Sequence, residues 1–176
     1  LNTATGYQSL YSNVEGVRNS AYGERSLYSN VGGNDNTAIG TSALYYNTEG
    51  SNNSVVGYYS LHKNTTGNNN IATGFHSLFN NTTGHSNVAA GSYALHSNTT
   101  CSNLVAIGDS ALFNNSSGSA NTAIGSKVLC SNTAGYSNTA TGYQSLYSNI
   151  GGCDNTAIGS LALAHNTGGN SNTATG

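Results

Sequence analysis

The chain has no proline, methionine or tryptophan, and only 6% of its 176 residues are charged. Four basic residues and a formal net charge of -2 leave no basic patch for nucleic acid, because phosphate binding needs clustered Lys and Arg. No apolar run approaches the roughly 20 residues that a membrane-spanning helix needs. We therefore expect neither nucleic acid nor a membrane among the partners.

Glycine, asparagine, serine and threonine fill much of the sequence, a composition that is typical of disordered segments. Disorder places no constraint on phase, however, and so small a net charge gives too little repulsion to keep the chain open. Three residue types instead recur at every seventeenth position without exception or insertion. Such a strict register indicates stacked repeats, because ordinary domains tolerate loop insertions at little entropic cost.

Glycine, leucine and asparagine form the three columns. The corner glycines are Gly6, Gly23, Gly40, Gly57, Gly74, Gly91, Gly108, Gly125, Gly142, Gly159 and Gly176. Leucine follows four residues later, at Leu10, Leu27, Leu44, Leu61, Leu78, Leu95, Leu112, Leu129, Leu146 and Leu163. Asparagine follows each leucine by three, at Asn13, Asn30, Asn47, Asn64, Asn81, Asn98, Asn115, Asn132, Asn149 and Asn166. The sequence predicts an all-β, parallel β-solenoid over residues 1–176, a single array of about ten coils.

The residues before each corner glycine alternate and are rich in β-branched types, as in Thr37–Ile39, which predicts a short strand. The corner glycine is expected at positive φ, where a side chain would clash. Around each leucine, as in 26–28, the sequence predicts a second short strand or an irregular extended run. The chain begins and ends with the same phrase, Asn-Thr-Ala-Thr-Gly, so we expect it to be a section of a longer array.

A second glycine column marks the other corner of the coil. Its members are Gly16, Gly33, Gly50, Gly67, Gly84, Gly118, Gly135, Gly152 and Gly169. Only Cys101 breaks this column, and a cysteine at positive φ would be strained, so we predict that its turn differs locally. A further asparagine stands four residues before the corner glycine in nearly every coil, as in Asn36, and Leu104 is the exception.

Stacking predicts what the columns do. Leucines repeated at about 4.8 Å would form an apolar spine, and the asparagines after them an amide ladder at the turn. One thin coil buries little, so we expect several chains to pack side by side or join end to end as a trimer or filament. The residues after leucine are the expected contacts: Tyr11, Tyr28, Tyr45, Phe79, Phe113 and Tyr147.

The three cysteines share no column. Cys101 and Cys153 lie three coils apart, about 14 Å at the usual strand spacing, which is beyond disulfide reach. We therefore expect no bridge within the chain, while the odd count, completed by Cys130, leaves pairing between chains open.

The phrase Asn-Thr-Ala-Ile-Gly, at 36–40, 121–125 and 155–159, resembles the Ser-Val-Ala-Ile-Gly phrase of trimeric autotransporter adhesin heads. The longer variant Gly-Tyr-Gln-Ser-Leu-Tyr-Ser-Asn, at 6–13 and 142–149, is similar to repeats of phage-type tail-fibre and other surface-fibre proteins. The adhesin heads are left-handed parallel β-rolls assembled as trimers. The resemblance implies a fibrous extracellular protein, although the coil here is longer and has additional leucine and asparagine columns.

No catalytic constellation emerges from the polar residues. Glu15 and Glu49 stand two coils apart, about 10 Å, just past the range of paired glycosidase carboxylates. His62 and His96 have the same separation, too wide for a shared metal ion, and fit an aromatic column after leucine. We therefore expect no catalytic residue, no metal and no cofactor, and a protein that is not an enzyme.

Three functions remain. The first is a self-assembling structural or adhesive extracellular fibre. The second involves glycans, either attached at Asn-x-Ser/Thr sequons or bound by aromatic rings near the first corner. The sequon asparagines are Asn52, Asn64, Asn80, Asn81, Asn98, Asn114 and Asn115, and the rings are Tyr7, Tyr58, Tyr59, Phe75, Tyr93 and Tyr143. The third and weakest is ice binding by Thr-x-Thr triplets, which occur only at 3–5, 139–141 and 173–175.

Overall fold

The computed structural model describes residues 1–176 as one parallel sheet of three-residue strands in chain order. The strands are β1 (Thr3–Thr5), β2 (Ser20–Tyr22), β3 (Thr37–Ile39), β4 (Ser54–Val56), β5 (Ile71–Thr73), β6 (Val88–Ala90), β7 (Val105–Ile107), β8 (Thr122–Ile124), β9 (Thr139–Thr141), β10 (Thr156–Ile158) and β11 (Thr173–Thr175). Each strand pairs in register with its equivalent seventeen residues later, as in Ala38 with Val55. The predicted all-β parallel solenoid is confirmed. No helix has the length and apolarity that crossing a membrane requires.

Strands β2 to β10 bury their middle residue and turn their outer two residues away from the core, whereas the middle residues of the end strands β1 and β11 are not fully covered. Ala38 is fully buried in β3, whereas the neighbouring Ile39 is 42% exposed. Alanine or valine occupies the middle position throughout, because the coil is too thin for anything larger there. The outward residues of all strands together form a surface that we call the strand face.

The corner glycines that follow the strands have the predicted positive φ, between 118° and 140°. Space adds a second constraint. A Cβ placed on Gly57 would lie 2.5 Å from the carbonyl oxygen of Gly74 in the next coil. These positions therefore demand glycine both for backbone conformation and for the close approach of stacked coils.

The segment around each leucine is neither a strand nor an extended run, so that prediction is wrong. The leucines have φ between 48° and 53°, and their neighbours two residues earlier have φ between 53° and 61°, as in Arg25 (53°) and Ser42 (53°). Two left-handed residues, each flanked by ordinary ones, fold the segment into consecutive tight turns that narrow the coil.

The predicted leucine spine is nevertheless present. Leu27 through Leu146 are fully buried in a single core with the strand alanines, and Leu10 and Leu163 pack against its two ends. No coil encloses its own leucine, since the neighbouring coils above and below supply the covering atoms.

The second glycine column is present, but the reason that it requires glycine is not the predicted backbone conformation. These glycines do not have positive φ. A Cβ on Gly67 would instead meet the carbonyl oxygen of Gly84 at 2.5 Å and the side chain of Asn64. Glycine is thus required for space, and a cysteine at 101 is not strained by its φ. The turn at Cys101 does differ locally, but for steric reasons.

Candidate functional site

The asparagine column after leucine forms the predicted amide ladder. From Asn30 to Asn166, every Nδ2 except that of Asn115 donates to Oδ1 of the equivalent asparagine in the preceding coil at 2.7–3.0 Å, as Asn64 does to Asn47. The same Nδ2 also donates to a second-column carbonyl, that of Gly67 in this coil, at 2.9 Å. The amides are fully buried from Asn30 to Asn149, so the ladder is an internal polar core beside the leucine spine.

A second ladder, which the sequence did not predict, runs through the asparagines four residues before the corner glycines. Oδ1 of Asn36 accepts the backbone N–H of Asn53 at 3.0 Å, and Nδ2 of Asn36 donates to Gly50 O at 2.8 Å. Because Asn47 donates to the same carbonyl at 2.8 Å, the two ladders join at each second-column glycine. The recurrence of this asparagine in nearly every coil is the sequence pattern that could have predicted the second ladder.

The ladders restrict the sequons. Asn64, Asn81, Asn98 and Asn115 are fully buried, and each Nδ2 is already a donor inside the rod. A glycan on any of these four nitrogens is incompatible with the folded coil. The prediction that these four asparagines are glycan attachment sites is therefore wrong for the folded rod. Asn52 and Asn114 are exposed, and Asn80 is partly exposed.

Seven aromatic rings, at the positions directly after seven consecutive column leucines, form one continuous stack along the rod. Successive centroids lie 4.9–5.5 Å apart. The rings belong to Tyr11, Tyr28, Tyr45, His62, Phe79, His96 and Phe113. The histidines therefore take tyrosine positions, as predicted. Stacking covers the ring faces within the column and leaves the ring edges as the surface.

Two histidines of this stack, His62 and His96, and His76 beside the stack are partly or fully withdrawn from water. His62 is buried, and its Nδ1 lies 3.0 Å from the carbonyl oxygen of Ser42. Burial lowers the pKa of His62, and nearby Lys63 and His76 lower it further. Burial is also the main cause that lowers the pKa values of His76 and His96. The Nδ1 of His96 is buried without a hydrogen-bond partner.

These lowered pKa values predict that acid destabilises the rod. The unfolded imidazoles keep their usual pKa near 6.5 and take up protons before the folded ones do, so unfolding is favoured as pH falls. Stability should be constant above pH 6.5 and decrease below it. Urea unfolding between pH 8 and 5 measures this. Replacing His62, His76 and His96 together by phenylalanine should flatten the acid side of the profile, whereas exposed His165→Phe should not. An unchanged profile in the triple variant would contradict the assignment.

The remaining polar groups are dispersed. Arg18 and Asp35 form an exposed ion pair at 2.6 Å, which lowers the pKa of the Asp35 carboxyl through a hydrogen bond. No three His, Cys, Asp or Glu side chains come together in a way that could hold a metal ion, and the surface has no pocket. All three cysteines are free thiols, and burial raises the pKa values of Cys101 and Cys130.

The strand face is the other extended surface. None of its residues is charged in any strand, and its exposed apolar side chains include Ile39, Val56, Ile107, Ile124 and Ile158. Threonine occupies both outward positions only in β1, β9 and β11. The face is therefore a neutral, mixed threonine and isoleucine surface rather than a uniform threonine plane.

Comparison with known proteins adds no family assignment. No protein-family model, no curated protein and no solved structure matches the chain.

Proposed function

We propose that this chain is the structural rod of an extracellular fibre. The observation that carries the proposal is continuity: the strands, the leucine spine and two amide ladders all follow the same seventeen-residue spacing along the axis. A rod of this kind extends by about 4.8 Å for each coil added, so length is set by repeat number. Its surface repeats at the same interval.

Side-by-side assembly of such rods is part of the proposal, and the strand face is the surface that supports it best. Spanning the eleven strands, it measures about 48 Å by about 12 Å, so two copies would bury roughly 1,200 Å² in total. That area is at the lower end of specific interfaces. Because the face is uncharged, two copies meet without repulsion or the desolvation of ions.

Cryo-electron microscopy with helical reconstruction tests the assembly. We expect filaments with an axial rise near 4.8 Å per coil, with strand faces of neighbouring rods in contact. The variant Ile107→Lys/Ile124→Lys places charges on this face and should yield single rods or monomers. Ser97→Lys/Ser131→Lys adds the same charge beside the aromatic stack and should assemble normally. A wild-type chain that stays monomeric at high concentration would refute self-assembly, and equal effects of both variants would refute the choice of face.

A carbohydrate-binding shaft of the adhesin or tail-fibre kind is the second candidate. The observation that favours it is a stacked pair, Tyr58 and Phe75, whose rings are 48% and 42% exposed beside the main aromatic stack. Exposed rings of this type pack against sugar rings. A glycan array with Tyr58→Ala/Phe75→Ala as the comparison tests it, because loss of binding only in this variant would support the candidate.

Glycosylation stays within the proposal at the surface sequons only. Peptide mapping of the native material should find any glycan at Asn52, Asn80 or Asn114. Ice binding is the weakest alternative, since the threonine pairs are irregular, and measurable thermal hysteresis would revive it.

A further inference from the structure

One junction between coils departs from the pattern: that between residues 91–107 and residues 108–124. In the other coils that have a following coil, two or three consecutive backbone N–H groups at the turn converge on one carbonyl of that next coil, as those of Thr48, Glu49 and Gly50 do on Thr65 O at 3.0–3.2 Å. The equivalent N–H groups of Thr99, Thr100 and Cys101 bond to no backbone carbonyl. The carbonyl of Ser116, which should accept them, takes instead the Sγ of Cys101 at 3.4 Å.

Both amide ladders are interrupted at the same junction. Asn115 does not donate to Asn98, so Oδ1 of Asn98 is buried without a partner. Leu104 occupies the second ladder and has no amide, so the contacts that Asn36 makes to the next coil have no counterpart there. The backbone bond from Ala120 N to Ser102 O is also stretched to 3.5 Å, against 3.0 Å for Asn69 to Ser51.

The cause is the side chain at position 101. At each equivalent glycine, an added Cβ would collide with the next coil's carbonyl and with the ladder asparagine of its own coil. Gly84, for example, has no room because Asn81 Oδ1 and the Cys101 carbonyl lie against it. Cys101 does carry a Cβ, which acts as a wedge and holds the turn away from its usual acceptor. Leu104 then fills the core beside it, fully buried, where an asparagine would have bridged the coils.

The other sides of the same junction are intact. Strand β7 pairs with β8 in full register, and Val105 N donates to Asn121 O at 3.0 Å. The rings of His96 and Phe113 stack at 5.1 Å, and Leu95 N donates to Ala111 O at 3.0 Å. The loss of bonding is therefore confined to the asparagine corner.

We infer that this junction is a hinge. The asparagine corner around Cys101 opens while the strands and the aromatic stack hold the two halves together, so the rod bends at this coil. Opening exposes the otherwise buried Cys101 thiol and lets water reach the unpaired Asn98 Oδ1. The hinge is a property of the single chain and holds whether or not rods assemble.

Amide hydrogen exchange measured by NMR tests the hinge. The amides of residues 99–101 should exchange about 100-fold faster than those of 65–67, because local opening governs exchange at an unbonded turn. The repaired variant Cys101→Gly/Leu104→Asn should bring the two turns to equal protection. Transplanting the wedge as Gly67→Cys/Asn70→Leu should speed exchange at residues 65–67. Equal protection of both turns in the wild type would overturn the inference, as would fast exchange that survives the repair.

Thiol labelling gives an independent measurement. In a Cys130→Ser/Cys153→Ser background, N-ethylmaleimide should modify Cys101 under native conditions faster than the protein unfolds globally. Adding Leu104→Asn, which restores one bridging amide, should slow that reaction at least several-fold. Labelling that proceeds only at the rate of global unfolding would show that the corner stays closed.

Discussion

Replacing Leu78 by alanine is expected to lower the free energy of unfolding by about 2–5 kcal/mol, the range for large-to-small substitutions in a well-packed core. Leu78 is fully buried and belongs to the single core that runs the length of the rod. A coil this thin has no second layer of side chains that could collapse into the cavity. The cost should therefore fall at the upper end of the range.

Urea unfolding followed by circular dichroism measures this cost. Leu161→Ala serves as the matched control, because that leucine is 56% exposed and its truncation should change stability by less than about 0.5 kcal/mol. Similar losses for the two variants would mean that the leucine spine is not the source of stability.

Replacing Asn64 by alanine should also be damaging, with a loss of about 1–3 kcal/mol from the orphaned amide oxygen. Asn64 Nδ2 donates to Asn47 Oδ1 and Gly67 O, and Asn64 Oδ1 accepts from Asn81. Its removal leaves Asn47 Oδ1 buried without any donor, while Gly67 O and Asn81 Nδ2 each keep one other partner. Most of the cost is thus the desolvation of an orphaned amide oxygen.

The matched control for this variant is Asn114→Ala, since Asn114 is exposed and its side chain makes no hydrogen bond in the rod. Thermal unfolding of the two variants separates ladder loss from a general effect of removing an amide. A loss below about 1 kcal/mol for Asn64→Ala would place the ladder among ordinary surface hydrogen bonds.

Much of the fold follows from the sequence because each coil repeats one local solution. Thr37–Ile39 has strand composition, Gly40 requires positive φ, and Leu44 and Asn47 recur in columns that only stacking can align. A residue type that recurs in a column shows that the position requires it, but not why. A glycine can be required by positive φ or by lack of space for a Cβ, and the sequence does not distinguish the two, so the predicted reason for the second glycine column is wrong.

The left-handed leucines were missed for a related reason. Leucine is expected for its apolar bulk, so its column carries no sign of the backbone conformation. The sign lies elsewhere: in a chain rich in threonine, the columns of Arg25 and Asp35 contain no valine, isoleucine or threonine in any coil. Those columns and the leucines are the non-glycine positions with positive φ, where β-branched side chains are least tolerated.

The site was predictable in its parts but not in its exceptions. The leucine and asparagine columns, and the histidines in tyrosine positions, were readable from spacing alone. The hinge depends on Cys101 and Leu104 acting together on Asn98, three residues whose relation appears only when consecutive coils are stacked. A departure from a column could be located in the sequence, but its effect on the neighbouring coil could not.

The amide ladder also gives the rod polarity. Except at the hinge between Asn98 and Asn115, the ladder asparagines inside the rod donate toward the preceding coil and accept from the following one, as Asn47 does between Asn30 and Asn64. Any plane cut between two coils therefore shows amide oxygens on one surface and amide N–H groups on the other. Two segments can rejoin only head to tail, because the reverse orientation would set like groups against each other. The buried hydrogen bonds of the ladder thus fix the direction of the rod, independently of the side chains on its surface.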